Sequence, residues 1–121
     1  MFPPIFQVCA ASAPVVALLG SNPVRLWPFG EAPSNAELPY AVWQQIGGSP
    51  ENNLDSVPDI DSFALQVDVY GRTGAQARGV AESLRNAIEP VAHITRWGGD
   101  GREADTKYYR YSFDLNWLVS R

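Results

Sequence analysis

The sequence has 121 residues, of which 45% are hydrophobic and 12% aromatic, and it carries a formal net charge of −4. This composition excludes a disordered chain, and the length is typical of one domain, which we expect to span residues 1–121. The excess of thirteen acidic over nine basic residues argues against nucleic acid as the main ligand, because neutralising phosphates requires clustered lysine and arginine.

The first nineteen residues predict a helix with an internal break. Pro3 and Pro4 suit a first helical turn, Ser12 and Pro14 indicate a break and a restart, and Gly20 is a typical helix end. The segment lacks the positively charged start of a secretory signal, and its apolar part is too short to span a bilayer. We therefore expect a protein that is assembled in the cytoplasm and has no membrane partner.

Strands are predicted at residues 24–27, 40–46 and 63–70, the last from a strict alternation of apolar and polar side chains. Between the second and third lies a long stretch, residues 47–61, that we interpret as a mobile loop. Loops of this length in a small domain are usually functional or disordered. This loop contains four acidic residues and no basic residue: Glu51, Asp55, Asp59 and Asp61.

The most clearly predicted helix follows residue 73. Thr73 and Gln76 have the spacing of a capping box, and Pro90 closes the segment. Apolar residues between them recur at helical spacing, while Arg78 and Glu82 lie one turn apart on the solvated side.

Two more strands are predicted, at residues 92–97 and 109–119, joined by a mobile glycine-containing loop at 98–106. The long alternation in the last strand is typical of an antiparallel sheet with one covered face. The predicted fold class is therefore α+β: a mainly antiparallel sheet of four or five strands with two helices packed on one face. The residues expected in the core are Val67, Val69, Val80, Leu84, Phe113 and Leu115.

The sequence offers weak candidates for catalysis or metal binding. A nucleophilic pair of Cys9 with His93, the single cysteine and histidine, stays open, but a packed thiol is the favoured interpretation. Asp59 and Asp61 resemble half of a calcium loop that lacks its other ligands. The glycines at 98–101 lie between two predicted strands, unlike those of phosphate-binding loops. We expect no catalytic residue, no metal and no cofactor.

The tryptophans are expected in the core or in a subunit interface, not stacked on bases or sugars. They are Trp27, Trp43, Trp97 and Trp117.

Several short motifs follow one another along the chain. The motifs are Leu38-Pro39-Tyr40, Gly48-Ser49-Pro50-Glu51-Asn52, Pro58-Asp59-Ile60-Asp61, Gln66-Val67-Asp68-Val69-Tyr70 and Tyr109-Arg110-Tyr111-Ser112-Phe113-Asp114. In this order they resemble a known family, the small tail terminator or tail completion proteins of long-tailed bacteriophages. The resemblance covers nearly the whole chain.

The resemblance implies a structural virion protein at the head–tail junction. Such proteins form a homo-oligomeric ring, usually a hexamer, that caps the tail tube, ends tube polymerisation and provides the docking surface for the neck or head-completion protein. Genome DNA would pass through the ring without specific binding. A neck or head-completion connector is the first alternative, and a small ligand-binding or enzymatic domain that uses His93 is the second.

Exposed loops are suitable for docking partners stacked above and below such a ring. We therefore expect the partner or subunit interface to include Glu51, Asn52, Asp55, Asp59, Asp61, Asp100 and Arg102.

Overall fold

Five strands in one sheet and three helices make up the fold, shown by a computed structural model that describes residues 1–121. The predicted α+β class is confirmed. In chain order the elements are α1 (Ile5–Ala10), α2 (Ala13–Leu19), β1 (Leu26–Pro28), β2 (Tyr40–Pro50), β3 (Ile60–Gly71), α3 (Gly74–Ile88), β4 (His93–Arg102) and β5 (Tyr109–Ser120).

The sheet is mixed but mostly antiparallel, with the strand order β1-β2-β3-β5-β4. Only β1 and β2 are parallel, whereas β2 with β3, β3 with β5, and β5 with β4 are antiparallel. The centre of the sheet is thus the long pair β3 and β5, and the two edges are β1 and β4.

The helices number three because the predicted break at the N-terminus separates two short helices. Ser12 is extended and caps α2, its side-chain oxygen accepting a hydrogen bond from the Val15 amide at 3.4 Å. Pro14 occupies the first turn of α2, where its missing amide hydrogen costs nothing.

The core lies between one face of the sheet and the helices. The alternating apolar residues of β3 and β5 meet the apolar stripe of α3 there, in a cluster of 19 buried residues. All six residues predicted for the core are at most 1% exposed, so the periodicity assigned the faces correctly.

The other face of the sheet is covered by no helix and is polar. Its half-buried side chains satisfy one another across the strands, which stabilises a face that lacks a hydrophobic layer. The pairs are Gln44 with Gln66 at 3.1 Å, Ser62 with Asn116 at 2.7 Å, and the Ser112 hydroxyl with the Asp68 carboxylate.

The predicted N-cap of α3 at Thr73 is confirmed, but the returning bond of the capping box goes to Arg72 and not to Thr73. The Gln76 amide donates to the Thr73 hydroxyl oxygen at 3.0 Å, and the Gln76 side chain accepts from the Arg72 amide at 2.7 Å. Arg78 points to solvent as predicted, but its ion-pair partner is Asp100 of β4, at 3.1 Å.

The two loops are shorter than the sequence indicated. Strands β2 and β3 continue as a hairpin to Pro50 and from Ile60, so the connecting loop is 51–59 and not 47–61. A bulge between Gln45 and Gly47 re-registers the two strands without ending their pairing.

Likewise, the glycines at 98–101 lie inside β4 and not in its connection to β5, which spans 103–108. These glycines are part of β4 because the segment pairs with the backbone of β5. The pairing shifts register between Ile94 and Arg96 and between Trp97 and Gly99. Glycine suits position 98, since a Cβ atom there would lie only 3.1 Å from the Ser112 backbone oxygen and would require a small shift of the neighbouring strand.

Candidate functional site

The tip of the β2–β3 hairpin, residues 51–59, is the most exposed part of the chain. It carries three carboxylates and no basic side chain. Leu54 is fully exposed and Val57 is 77% exposed, so two apolar side chains have no partner within the chain. The loop is closed by backbone bonding of the Glu51 amide to the Ile60 oxygen at 2.9 Å. An exposed acidic loop with an apolar centre is a surface that a partner can cover.

Asp61 belongs to the base of this hairpin and not to its loop. Its carboxylate receives two hydrogen bonds from the Arg121 guanidinium, at 2.9 and 3.1 Å. The hydrogen bonds and the charge of Arg121 hold the pKa of Asp61 below its usual range. Asp61 therefore fastens β3 to the end of β5. Its partner Arg121 was not indicated by any spacing in the sequence.

Asp100 and Arg102 lie at the opposite end of the sheet from Glu51, Asn52, Asp55, Asp59 and Asp61. Asp100 pairs with Arg78, and the Arg102 guanidinium lies 4.9 Å from the centre of the Tyr109 ring. Arg102 pairs with Tyr109 in the β4–β5 ladder, and Tyr109 pairs with Gly71 of β3. Ten steps along β3 from Asp61 to Gly71 correspond to about 33 Å. The candidate residues thus form two surfaces, one at each end of the long strands.

A third surface feature is a groove between α3 and the β4 edge, which sequence reasoning missed. Its volume is about 250 Å³, and Trp97, 46% exposed, forms part of its wall. Trp97 contacts Tyr111 and Phe113 on β5, with ring centroids 6.2 and 5.5 Å apart. The lining consists of Arg78, Ala81, Glu82, Arg85, Trp97 and Tyr111.

A cleft on the polar side of the sheet contains stacked tyrosines. The rings of Tyr40 and Tyr70 lie 5.0 Å apart, and Glu103 and Tyr108 line the same cleft. Burial, reinforced by nearby acidic groups, raises the pKa of both hydroxyls. The two rings stack on each other. The Arg110 guanidinium lies 3.8 Å from the Glu103 carboxylate.

The two residues considered for nucleophilic catalysis are on opposite faces of the sheet. Cys9 is fully buried in the core, where desolvation raises the pKa of its thiol to about 12. His93 is exposed at the start of β4 and pairs with Asn116, whose side chain is on the polar face. No three histidine, cysteine or acidic side chains come together as a metal site. No helix is long and apolar enough to cross a membrane.

The tryptophans divide between the core and the surface. Trp117 is 4% exposed and Trp43 packs against the core under Phe2, their ring centroids 5.4 Å apart. Trp27 is half-buried beside Tyr40, which leaves Trp97 as the exposed one. The expected core role is therefore confirmed for Trp117 and Trp43.

Solved structures of other proteins share this fold, among them a virion chain and a bacteriophage chain. A chain described as "Virion of native gene transfer agent (GTA) particle" superimposes with a TM-score of 0.69 at 14% sequence identity, over 97% of this chain and 92% of that one. The "Structure of bacteriophage SPP1 gp17 protein" gives a TM-score of 0.57 at 10% identity, over 97% of this chain and 86% of that one. At such identities the likeness concerns the fold alone.

The sequence itself matches a family. No curated protein matches it, but the sequence pattern of the family described as "Tail completion protein gp17" matches residues 3–120. This range covers every helix and strand of the fold. The chain therefore belongs to the tail completion protein gp17 family and is a structural protein of the virion tail or head–tail junction.

Proposed function

We propose that the chain forms a homo-oligomeric ring, a hexamer, that caps the phage tail tube. The ring ends tube polymerisation and offers its free side to the neck or head-completion protein. The chain acts as an assembly component and not as an enzyme. Genome DNA passes through the ring without specific binding, in keeping with the net charge of −4.

The observation that carries the proposal is the exposed tip of the β2–β3 hairpin. Leu54 and Val57 lie in full contact with water, 103% and 77% exposed, between the carboxylates of Glu51 and Asp59. Burial of two such side chains against a partner contributes roughly 1.5–3 kcal/mol each. The tip is thus a docking element that an isolated subunit leaves uncovered.

The opposite end of the sheet supports a second contact. The β4–β5 turn, residues 103–108, lies there together with Arg102 and exposes Lys107. The two ends are about 33 Å apart along β3. They differ in charge, since the tip carries three acids and no cation whereas residues 102–108 carry two acids and two cations. A subunit with two distinct ends can meet the tube on one side and refuse a further tube subunit on the other.

Addition of the purified protein to polymerising tail tube protein tests the proposal. Electron microscopy should show tubes that stop growing and carry the protein at one end. The double variant Leu54→Ser, Val57→Ser should lose this activity, whereas Val91→Ser, at a residue 52% exposed next to α3, should retain it.

Unchanged tube lengths, with the protein bound instead to DNA-filled heads, would assign it to the neck. The ligand-binding alternative depends on His93, which lines none of the three surface cavities. Loss of a small-molecule binding signal in His93→Ala would favour that alternative.

A further inference from the structure

We propose that the groove between α3 and β4 binds the β2–β3 hairpin tip, residues 51–59, of a second copy of this chain. The inference rests on the proposed ring and names the contact that joins its subunits. The groove and the tip are two exposed surface features that each combine apolar and charged side chains.

Their apolar parts match. The groove presents the exposed face of Trp97 beside Ala81 and Tyr111, and the tip presents Leu54 and Val57. Tryptophan is enriched at protein interfaces, because its large ring can be buried there with little loss of conformational freedom. The half-exposed Trp97 is suited to such a contact.

Their charges also match. Residues 51–59 contain three acidic side chains and no basic one, whereas the groove lining itself carries Arg78 and Arg85 against Glu82. Two further acids next to the lining, Asp100 and Glu89, pair with these arginines at 3.1 and 3.8 Å. Arg78 lies 3.1 Å from Asp100, and both side chains are more than half exposed. This pair can accept a further carboxylate.

Arg85 is similarly available. Its guanidinium donates to the Asn86 side chain at 2.9 and 3.1 Å and lies 3.8 Å from Glu89. None of these is a short contact with a carboxylate, and a carboxylate from outside can form bidentate hydrogen bonds with arginine.

The tip cannot reach the groove of its own chain. The hairpin leaves β3 at Ile60, which pairs with Ser120, whereas the groove begins at Tyr111, which pairs with Val69. Nine steps along β3 correspond to about 30 Å. A nine-residue loop folded back on itself spans only about 15 Å. A hairpin tip that occupies the groove therefore belongs to a second copy.

The contact is head-to-tail, because the tip and the groove are different surfaces of one subunit. Repeating such a contact generates a closed ring when the rotation between subunits closes. The contact therefore supplies the symmetry that the proposed ring requires.

A cysteine pair tests the contact directly. In the double variant Asp55→Cys, Glu82→Cys, one thiol is on the tip and the other replaces the acid in the groove. Mild oxidation of the purified protein, alone and with tail tube protein, should produce disulfide-linked multimers. The matched control is Asp55→Cys, Glu31→Cys, with the second thiol on the exposed β1–β2 connection. An absence of multimers, or equal multimers in the control, would overturn the inference.

Charge exchange provides a second measurement. The variant Arg78→Glu, Arg85→Glu should weaken self-association about tenfold or more, and adding Asp55→Arg, Asp59→Arg to the same chain should restore it. No restoration in a folded quadruple variant would contradict the proposed pairing.

The result is separable from the capping function. If the protein caps tubes but forms no linked multimers, the proposed contact is contradicted and the capping function is supported. If linked multimers form but do not stop tube growth, the proposed contact is supported and the capping function is contradicted.

Discussion

Asp61 and Arg121 meet at the base of the β2–β3 hairpin through two hydrogen bonds, although they are 60 positions apart in the chain. The pair joins the start of β3 to the residue that follows β5. It holds the hairpin stem against the centre of the sheet while the tip beyond it stays free.

This pair predicts a pH dependence. The pKa of Asp61 is lowered in the folded protein, so the stabilisation is present above the ordinary aspartate pKa, about 3.9, and is lost as the pH falls through the folded value. A carboxyl NMR titration should place the Asp61 midpoint below this value, and Arg121→Gln should raise it. A midpoint that Arg121→Gln does not move would contradict the pairing.

A second prediction concerns the core. Leu84 is 1% exposed in the middle of α3, so Leu84→Ala should lower the free energy of unfolding by roughly 2–5 kcal/mol. The matched control is Leu118→Ala, at a residue 47% exposed, which should cost less than about 0.5 kcal/mol. Denaturant unfolding measures both, and similar losses would mean that the sheet faces are assigned wrongly.

A third prediction uses the single thiol. Cys9 is fully buried and its pKa is raised to about 12, so a thiol reagent at pH 8 should label the native protein at least about a hundredfold more slowly than the unfolded chain. The variant Asp55→Cys should add one rapidly labelled thiol. Rapid labelling of the unmodified protein would show that α1 opens readily.

A fourth prediction concerns the hairpin tip. Residues 51–59 have few backbone hydrogen bonds within the chain and are nearly all exposed, so their amides should exchange rapidly in an isolated subunit. Assembly on tubes should protect them, whereas β5 amides should be protected in both states. Equal exchange of the tip before and after assembly would exclude it from the interface.

The sequence predicted the elements in which side-chain periodicity and packing agree. The alternation from Tyr109 to Val119 and the capping box at Thr73 both identified their elements correctly. At residues 98–102 no periodicity was available, since glycines show no alternation, and pairing with β5 decides that this segment is a strand. Residues 47–50 are strand for the same reason, through their pairing with β3.

The candidate surfaces were predictable only in part. The acids of 51–59 are neighbours in the chain, so their common location could be read directly. The groove combines Arg78 and Arg85 of α3 with Trp97 of β4. No local sequence pattern connects the solvated face of a helix to a position inside the strand that follows it. Two arginines seven positions apart on the solvated face of α3 were the one available signal.

The bulged edge strand β4 has a consequence for aggregation. An edge strand with regular, unpaired backbone groups invites a neighbouring strand to add to it, and repeated addition produces fibrils. Here β4 changes register twice, between Ile94 and Arg96 and between Trp97 and Gly99. The opposite edge, β1, has three residues and ends at Pro28. Neither edge is a good template for strand addition, so the copies of the proposed ring can contact one another through side chains without joining into a continuous sheet.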